Sequence, residues 1–446
     1  MTFKNTFCSS PWFHLAVQPH GDYLPCRWID EPGPHYRLLP KDGKDNVTTV
    51  SIMEYYNRDE IRQLRTALLN GEQPTECKSC YYEDGFNKLS GRQRQLLKSG
   101  IRSDEFDITL KASPHYDLFK YSLENNGLSN YEPTDLQIEL GSLCNSACVM
   151  CSPAYSSRLV DDYRKLEKIN PAQFQLPKLP PNWTENKEAL DKFIDELLGL
   201  KSIKYVHFLG GETMYIEAFY TICERLIAEG RAKDIILGTT TNGTIYHQRL
   251  ENIIGEFKQF HLGFSIETLN SVNDYIRYPS RIDHVRGNLL KLLALRNTAP
   301  NLQISLRITP NIFTMYYIDQ LVEFMFEHQV IAESCNILFK PSVLRIELMP
   351  EDLRQQTMVK LKNILDKYTA KDSKVLNVRN KEFIADVIIN VANDYLNVLH
   401  NLTIPDDVED QRHKLVTFLK SWEQLRNNSI LDHAPEYEPF LRLYGY

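Results

Sequence analysis

The sequence is short of long apolar runs. No uninterrupted stretch approaches the ~18 residues that a bilayer-spanning helix requires, which excludes an integral helical membrane protein. The opening residues, Met1-Thr2-Phe3-Lys4-Asn5, lack the apolar core of a secretion signal. A strong charge of one sign is also missing. The 51 Lys and Arg against 58 Asp and Glu leave −7, which argues against a dedicated nucleic-acid binder but leaves room for a local basic patch. With 42% hydrophobic and 24% charged residues, wholesale disorder is excluded. At 446 residues, two or three domains with a full-sized core are expected, in a soluble cytoplasmic protein. The cysteines number nine, an odd count that speaks against a disulfide framework.

What those cysteines do have is clustering. Seven of the nine precede residue 152. Cys223, in an apolar helical stretch, and Cys335 stand apart and read as buried small hydrophobes. The sharpest motif is Cys144-x3-Cys148-x2-Cys151. Thiolates this close in sequence converge on one metal centre, and three of them cannot fill the four corners of a four-iron cubane. One iron is then left open, as a reactive site requires. Zinc held by three Cys and a distant His is the structural alternative, although no His follows at a finger-like distance.

From about residue 134 the chain alternates short apolar strands with helical stretches, the pattern of a parallel sheet with crossover helices. Strands are predicted at Leu136–Leu140, Ile203–Leu209, Ile235–Thr239, Phe260–Ile266, Leu302–Ile308 and Asn336–Phe339. Helices are predicted at Ser157–Lys168, 185–199, Tyr215–Ala228, Tyr246–Phe257, 282–296 and Tyr316–Glu327, with a Pro-rich surface excursion over 169–184.

The cysteine spacing and this context resemble the radical S-adenosylmethionine (SAM) superfamily. The resemblance implies an α/β fold with a partial (β/α)6 barrel and a [4Fe–4S] cluster on Cys144, Cys148 and Cys151. It implies that the open iron chelates SAM and that reductive cleavage gives a 5′-deoxyadenosyl radical, which takes hydrogen from a substrate. Met150, just before the third cysteine, stands where the family usually has an aromatic residue beside the adenine. The other candidate SAM contacts lie at strand ends, where barrel active sites form. Gly210-Gly211-Glu212 resembles the element that holds the SAM amino group, and Ser265-Ile266-Glu267 a polar contact to its ribose or carboxylate. Asn242 in Thr241-Asn242-Gly243 ends the third strand, and Arg307 the fifth, with Arg277 a further candidate cation. Taken singly, each of these polar residues reads equally as a solvated strand end.

Before the barrel come Cys8-x12-Gly21-x4-Cys26 and Cys77-x2-Cys80. This resembles the auxiliary iron–sulfur modules called SPASM and twitch, with His20-Gly21-Asp22 as the hairpin turn and Trp12–Val17 and Tyr23–Leu24 as shielding flanks. In the usual order such a module follows the barrel; here the resembling segment precedes it. Four cysteines would fully ligate one auxiliary cluster, for electron transfer or structure. A zinc knuckle is the alternative, since Cys-x2-Cys pairs also bind zinc. A helix is expected over Ile61–Asn70 with a cap at Asn70-Gly71. The charged run Glu83, Asp84, Lys88, Arg92, Arg94, Lys98 and Arg102 reads as a solvated helix face, or as a contact for a phosphate or carboxylate substrate. Residues 103–133 read as a connector.

After Pro350, helices are predicted near 351–370, 380–400 and 407–426, as a cap on the barrel opening or a substrate platform. The expected domains are 1–130, an iron–sulfur module with its connector; 131–345, the barrel; and 346–446, a helical C-terminal region. The resemblance favours a peptide or protein side chain as substrate and a reductant such as flavodoxin or ferredoxin. Modification of a nucleotide, nucleobase or other small molecule is the first alternative. A non-catalytic, zinc-stabilised binding protein is the second. No membrane partner is expected.

Overall fold

The computed structural model describes residues 6–29, 44–84, 90–332, 335–369 and 379–446, so Met1–Asn5 and Lys88 lie outside the described residues. Among the described residues eight strands form one sheet: β1 (His14–Val17), β2 (Tyr23–Leu24), β3 (Asp135–Glu139), β4 (Tyr205–Leu209), β5 (Ile236–Thr241), β6 (Gln259–Ser265), β7 (Leu302–Arg307) and β8 (Ile331–Ala332). Their order is β2-β1-β3-β4-β5-β6-β7-β8. From β3 to β8 every neighbouring pair is parallel and consecutive in the chain, which gives the six-strand partial barrel. Helices cross over between them, chief among them Leu159–Ile169, Lys187–Gly199, Glu217–Ala228, Gln248–Ile254, Ile282–Leu295 and Ile318–His328. Period-2 alternation sends Leu136, Ile138, Val206, Phe208, Leu262 and Phe264 into the layer under these helices. The opposite face of each strand carries mostly polar side chains into the barrel interior: Gln137, His207, Thr240, His261, Ser305 and Arg307.

The last strand is shorter and earlier than predicted. Ile331–Ala332 pairs with Ser305 and Leu306, while 336–339 forms no strand. Leu338 instead donates its N–H to the Pro310 carbonyl (3.4 Å), and Phe339 is exposed. The apolar run Ile337–Phe339 imitates a strand in sequence without a neighbour to pair with.

The N-terminal hairpin extends the same sheet. β1 runs parallel to β3, with His14 opposite Asp135 and Val17 opposite Ile138, and β2 returns antiparallel. The open edge of β3 is thereby paired rather than left to solvent. At the turn Gly21 has φ +96°, and a Cβ there would stand 2.8 Å from Asn46 Oδ1 and from the Trp183 Cβ. The corner where the hairpin meets the barrel is held by Asp135, which faces His14 at 3.6 Å and Lys98 at 3.3 Å.

Residues 103–133 are more than a connector. They fold into helices Phe106–Ala112 and Tyr116–Glu124, and Phe119 packs fully buried against Phe7 and Trp12 at ring distances of 5.0 and 5.4 Å. Arg65, also fully buried, fastens this layer by donating to the carbonyls of Pro11 (2.9 and 3.0 Å) and Gly127 (3.2 Å) and to Asn57 Oδ1 (2.9 Å). The expected surface excursion over 169–184 is likewise pinned by buried aromatics. Phe174 stacks on Phe418 at 5.2 Å beside Trp422, and Trp183 donates its indole N–H to the Glu139 carbonyl at 2.9 Å. Phe418 and Trp422 belong to the C-terminal helix Val408–Arg426, which follows Glu351–Thr369 and Arg379–His400. Among the described residues no helix is long and apolar enough to cross a membrane.

Asp135 makes the hairpin contact sensitive to acid. Burial alone pushes its carboxyl up, but the hydrogen bonds and charges of His14 and Lys98 outweigh this and hold it at about 2. A carboxyl depressed in the folded state stabilises the fold above its unfolded pKa near 4 and loses that contribution as pH falls toward 2. Unfolding measured in denaturant between pH 6 and pH 2 should therefore show Asp135→Asn less stable than the parent by about 2 kcal/mol at pH 6, the gap closing at the acid end.

Candidate active site and auxiliary cysteine site

β3 delivers the chain directly into the cysteine loop, and backbone contacts fix that loop on three sides. The Ala147 and Val149 N–H groups donate to the carbonyls of Tyr278 (2.7 Å) and Ile276 (2.9 Å) after β6. Ser156 Oγ donates to the Ser146 carbonyl at 2.6 Å, and the Cys144 N–H donates to Ser157 Oγ at 3.3 Å. Cys148 is buried; Cys144 and Cys151 are half-buried. Burial pushes all three thiols up, Cys144 to about 11 and Cys151 to about 12, and neighbouring thiols push these last two further. The Arg277 guanidinium opposes the rise at Cys148 and Cys151. Three sulfurs that resist ionisation alone, backed by a cation, fit a centre that supplies positive charge of its own. Iron bound as a three-thiolate cubane does so.

The glycines after β4 serve this loop. A Cβ on Gly211 would stand 2.2 Å from the Leu143 carbonyl oxygen, so only glycine lets the loop backbone cross. At that crossing the Gly211 and Glu212 N–H groups donate to the carbonyls of Gly141 (2.8 Å) and Leu143 (2.9 Å). Gly210, with φ +145°, makes the bend. Glu212 is buried. Its Oε1 accepts from the Thr241 hydroxyl (2.7 Å) and the Met214 N–H (3.2 Å), and its Oε2 from the Asn242 N–H (2.6 Å). Burial raises its pKa against those three donors. Asn242 in turn donates through Nδ2 to Asn145 Oδ1 (2.8 Å) and Ser146 Oγ (3.0 Å) inside the cysteine loop.

Glu267 is fully buried and turned toward Arg277, with which it forms an ion pair, while its other oxygen accepts from the Thr309 N–H at 2.7 Å. Ser265 and Arg307 are register partners at the ends of β6 and β7. The Arg307 side chain lies over Gly263, where a Cβ would stand 2.6 Å from Nε. Met150 is half-buried and packs against the core. The structure thus gathers the three cysteines, Gly210, Gly211, Glu212, Asn242 and the Glu267–Arg277 pair into one bonded unit. Ser265 and Arg307 occupy the neighbouring strand ends.

Sequence reasoning missed two residues here. Glu139 closes β3 with a carboxyl raised to about 7 by burial, and its Oε2 has no hydrogen-bond partner. A charged residue inside a strand leading straight into a cysteine motif was the available signal. Arg426, from the end of the chain, donates to the Ala147 carbonyl; no local motif points to it.

The second cysteine group converges too. Cys8, Cys26, Cys77 and Cys80 line one cavity together with Trp28 and Leu68, partly open to solvent. Burial raises all four thiols, Cys80 to about 12. Arg92 lines the same cavity. It is buried against Asp84 (2.6 Å) and the Phe7 carbonyl (3.0 Å), so the expected solvated charged face is partly interior. The two cysteine groups lie toward opposite ends of the sheet: after β2 the chain returns toward the start of β1, which is level with Asp135 at the start of β3, and the Cys144 loop follows the other end of β3.

Family models match the stretches of chain that contain the two cysteine groups. The Radical SAM superfamily model matches residues 138–298, and the model of SPASM, an iron–sulfur cluster-binding domain, matches residues 8–81. Residues 138–298 are a radical SAM domain, preceded by a SPASM domain. The first implies a [4Fe–4S] cluster and SAM, the second auxiliary iron–sulfur. Among solved structures, Streptococcus suis SuiB bound to S-adenosylmethionine is 16% identical with a TM-score of 0.33, over 71% of this chain and 64% of that one. SuiB bound to the precursor peptide SuiA is 15% identical with a TM-score of 0.35 over the same shares. Native anSMEcpe with bound AdoMet is 17% identical with a TM-score of 0.37, over 52% of this chain and 60% of that one. The chain spans less than two thirds of the length of these structures. No curated protein sequence matches.

Two separate cysteine groups predict separable metal loading. After anaerobic reconstitution the parent should carry about eight irons, and Cys148→Ala and Cys77→Ala about four each, counted by iron and sulfide analysis.

Proposed function

We propose that the protein is a radical SAM enzyme that abstracts hydrogen from a peptide or protein side chain. The observation that carries this reading is the cysteine loop itself. It is held at the C-terminal ends of β3, β4 and β5, where barrel chemistry takes place, by residues that match the family's motif order. Cys144, Cys148 and Cys151 would hold the catalytic cluster, while the Gly210–Glu212 turn, Asn242, Ser265 and Arg307 hold SAM. Together those two groups supply a carbon-centred radical when the cluster is reduced.

The chain's own residues set the geometry for that step. The Glu212 carboxylate ties the ends of β4 and β5 together, so the loop and the strand ends move as one body. Glu267 fixes Arg277 beside Cys148 and Cys151 and keeps a positive charge against the sulfurs. The four N-terminal cysteines would hold an auxiliary cluster, and a small acidic electron carrier such as flavodoxin or ferredoxin would supply the electron.

Support for a peptide substrate comes from the SPASM domain and from the fate of Arg92 in the basic run. Arg92 is buried in its pair with Asp84, which takes this cation away from a nucleotide phosphate.

Incubating the anaerobically reconstituted protein with SAM and dithionite should release 5′-deoxyadenosine, with release from Cys144→Ala falling to background. Equal release from both would reject the assignment.

A further inference from the structure

The C-terminal helix Val408–Arg426 ends on a guanidinium that enters the cysteine loop. Arg426 Nη2 donates to the Ala147 carbonyl and to Asp162 Oδ2, each at 2.7 Å. The side chain is 6% exposed and its guanidinium carbon lies 4.0 Å from the Trp422 ring centre and 4.4 Å from that of Tyr278. Asn427, in the left-handed region at φ +50°, turns the chain away at this point. Because the Ala147 N–H is already bonded to Tyr278, Arg426 completes a clamp on both polar groups of the residue preceding Cys148.

This is an expensive arrangement for a loop that needed only to be covered. Nε and Nη1 of Arg426 are buried without a hydrogen-bond partner, and a buried cation with unmet donors costs stability unless negative charge lies nearby. Asp162 supplies one negative charge, and it too is partly buried. The positive charge of Arg426 is felt at Cys148 alongside that of Arg277, with Glu267 acting in the opposite sense. A cluster on three thiolates carries net negative charge that grows by one on reduction. A second cation bonded to the loop, in addition to that of Arg277, favours the reduced state.

We propose that Arg426 is a positioning residue for the SAM cluster: it fixes the Ala147–Cys148 peptide and favours the reduced cluster, so the C-terminal region takes part in the reaction instead of merely covering the barrel. This rests on the radical SAM reading and deepens it.

The test is the midpoint potential of the cluster in the full-length reconstituted protein, followed by electron paramagnetic resonance, together with the rate of 5′-deoxyadenosine release. Arg426→Met should shift the potential to more negative values and slow release by about tenfold or more. Arg426→Lys, which keeps the charge but not the fork, should sit closer to the parent in potential. Asp162→Asn removes the compensating negative charge and should shift the potential the other way, a response that loosened packing would not produce. Should Arg426→Met fail to fold, the Lys and Asp162→Asn variants decide. If Asp162→Asn leaves the potential unchanged, or shifts it in the same direction as the Arg426 variants, the proposal is overturned. A parent that binds no cluster and cleaves no SAM would reject the underlying reading instead; a parent that does both while the potentials stay fixed rejects this inference alone.

Discussion

The site depends on one close approach of backbone to backbone. The turn after β4 passes under the Leu143 carbonyl so tightly that position 211 has no room for a side chain, and two N–H groups of that turn hold the loop above it. Everything else that defines the site is built outward from this crossing. Glu212 reaches from the turn to the end of β5, Asn242 returns from there to the loop, and the segment after β6 takes up Ala147 and Val149. The glycine pair, which in sequence reads as room for a ligand, also makes room in the fold for the protein itself.

That difference shows where legibility ends. Cys144, Cys148 and Cys151 were legible because their chemistry requires short spacing on one loop, and the five strands from Leu136 to Ile308 were legible because buried parallel strands are short apolar runs between helices, whereas the sixth was misplaced. Glu267 was legible as a polar strand end but not as the partner of Arg277, because the pairing is set by how the segment after β6 folds back. Arg426 was illegible altogether: 275 residues separate it from Cys151, and only tertiary packing of Trp422 against Phe174 brings it there. The two helices within 103–133 were missed because each anchors by one or two aromatics, too few to establish a period.

Charge is distributed in a way that matches the burial of sulfur. Each cysteine group sits in protein that resists thiolate formation, and each has a buried arginine beside it: Arg277 and Arg426 at the barrel loop, Arg92 at the N-terminal cavity. Those arginines are themselves held by carboxylates, Glu267, Asp162 and Asp84. Pairing each arginine with a carboxylate keeps the net charge around the sulfurs low.

Because β1 is bonded to β3 along four residues, the N-terminal module is registered to the barrel like graduations along a scale. A module on a linker can swing toward a reaction and away from it; one that shares a pleated ladder cannot move without unzipping the strand that carries the cysteine loop. The placement of the hairpin relative to the cysteine loop is therefore set by residue count rather than by domain motion, and lengthening β1 or β3 by one residue would shift the ladder's register.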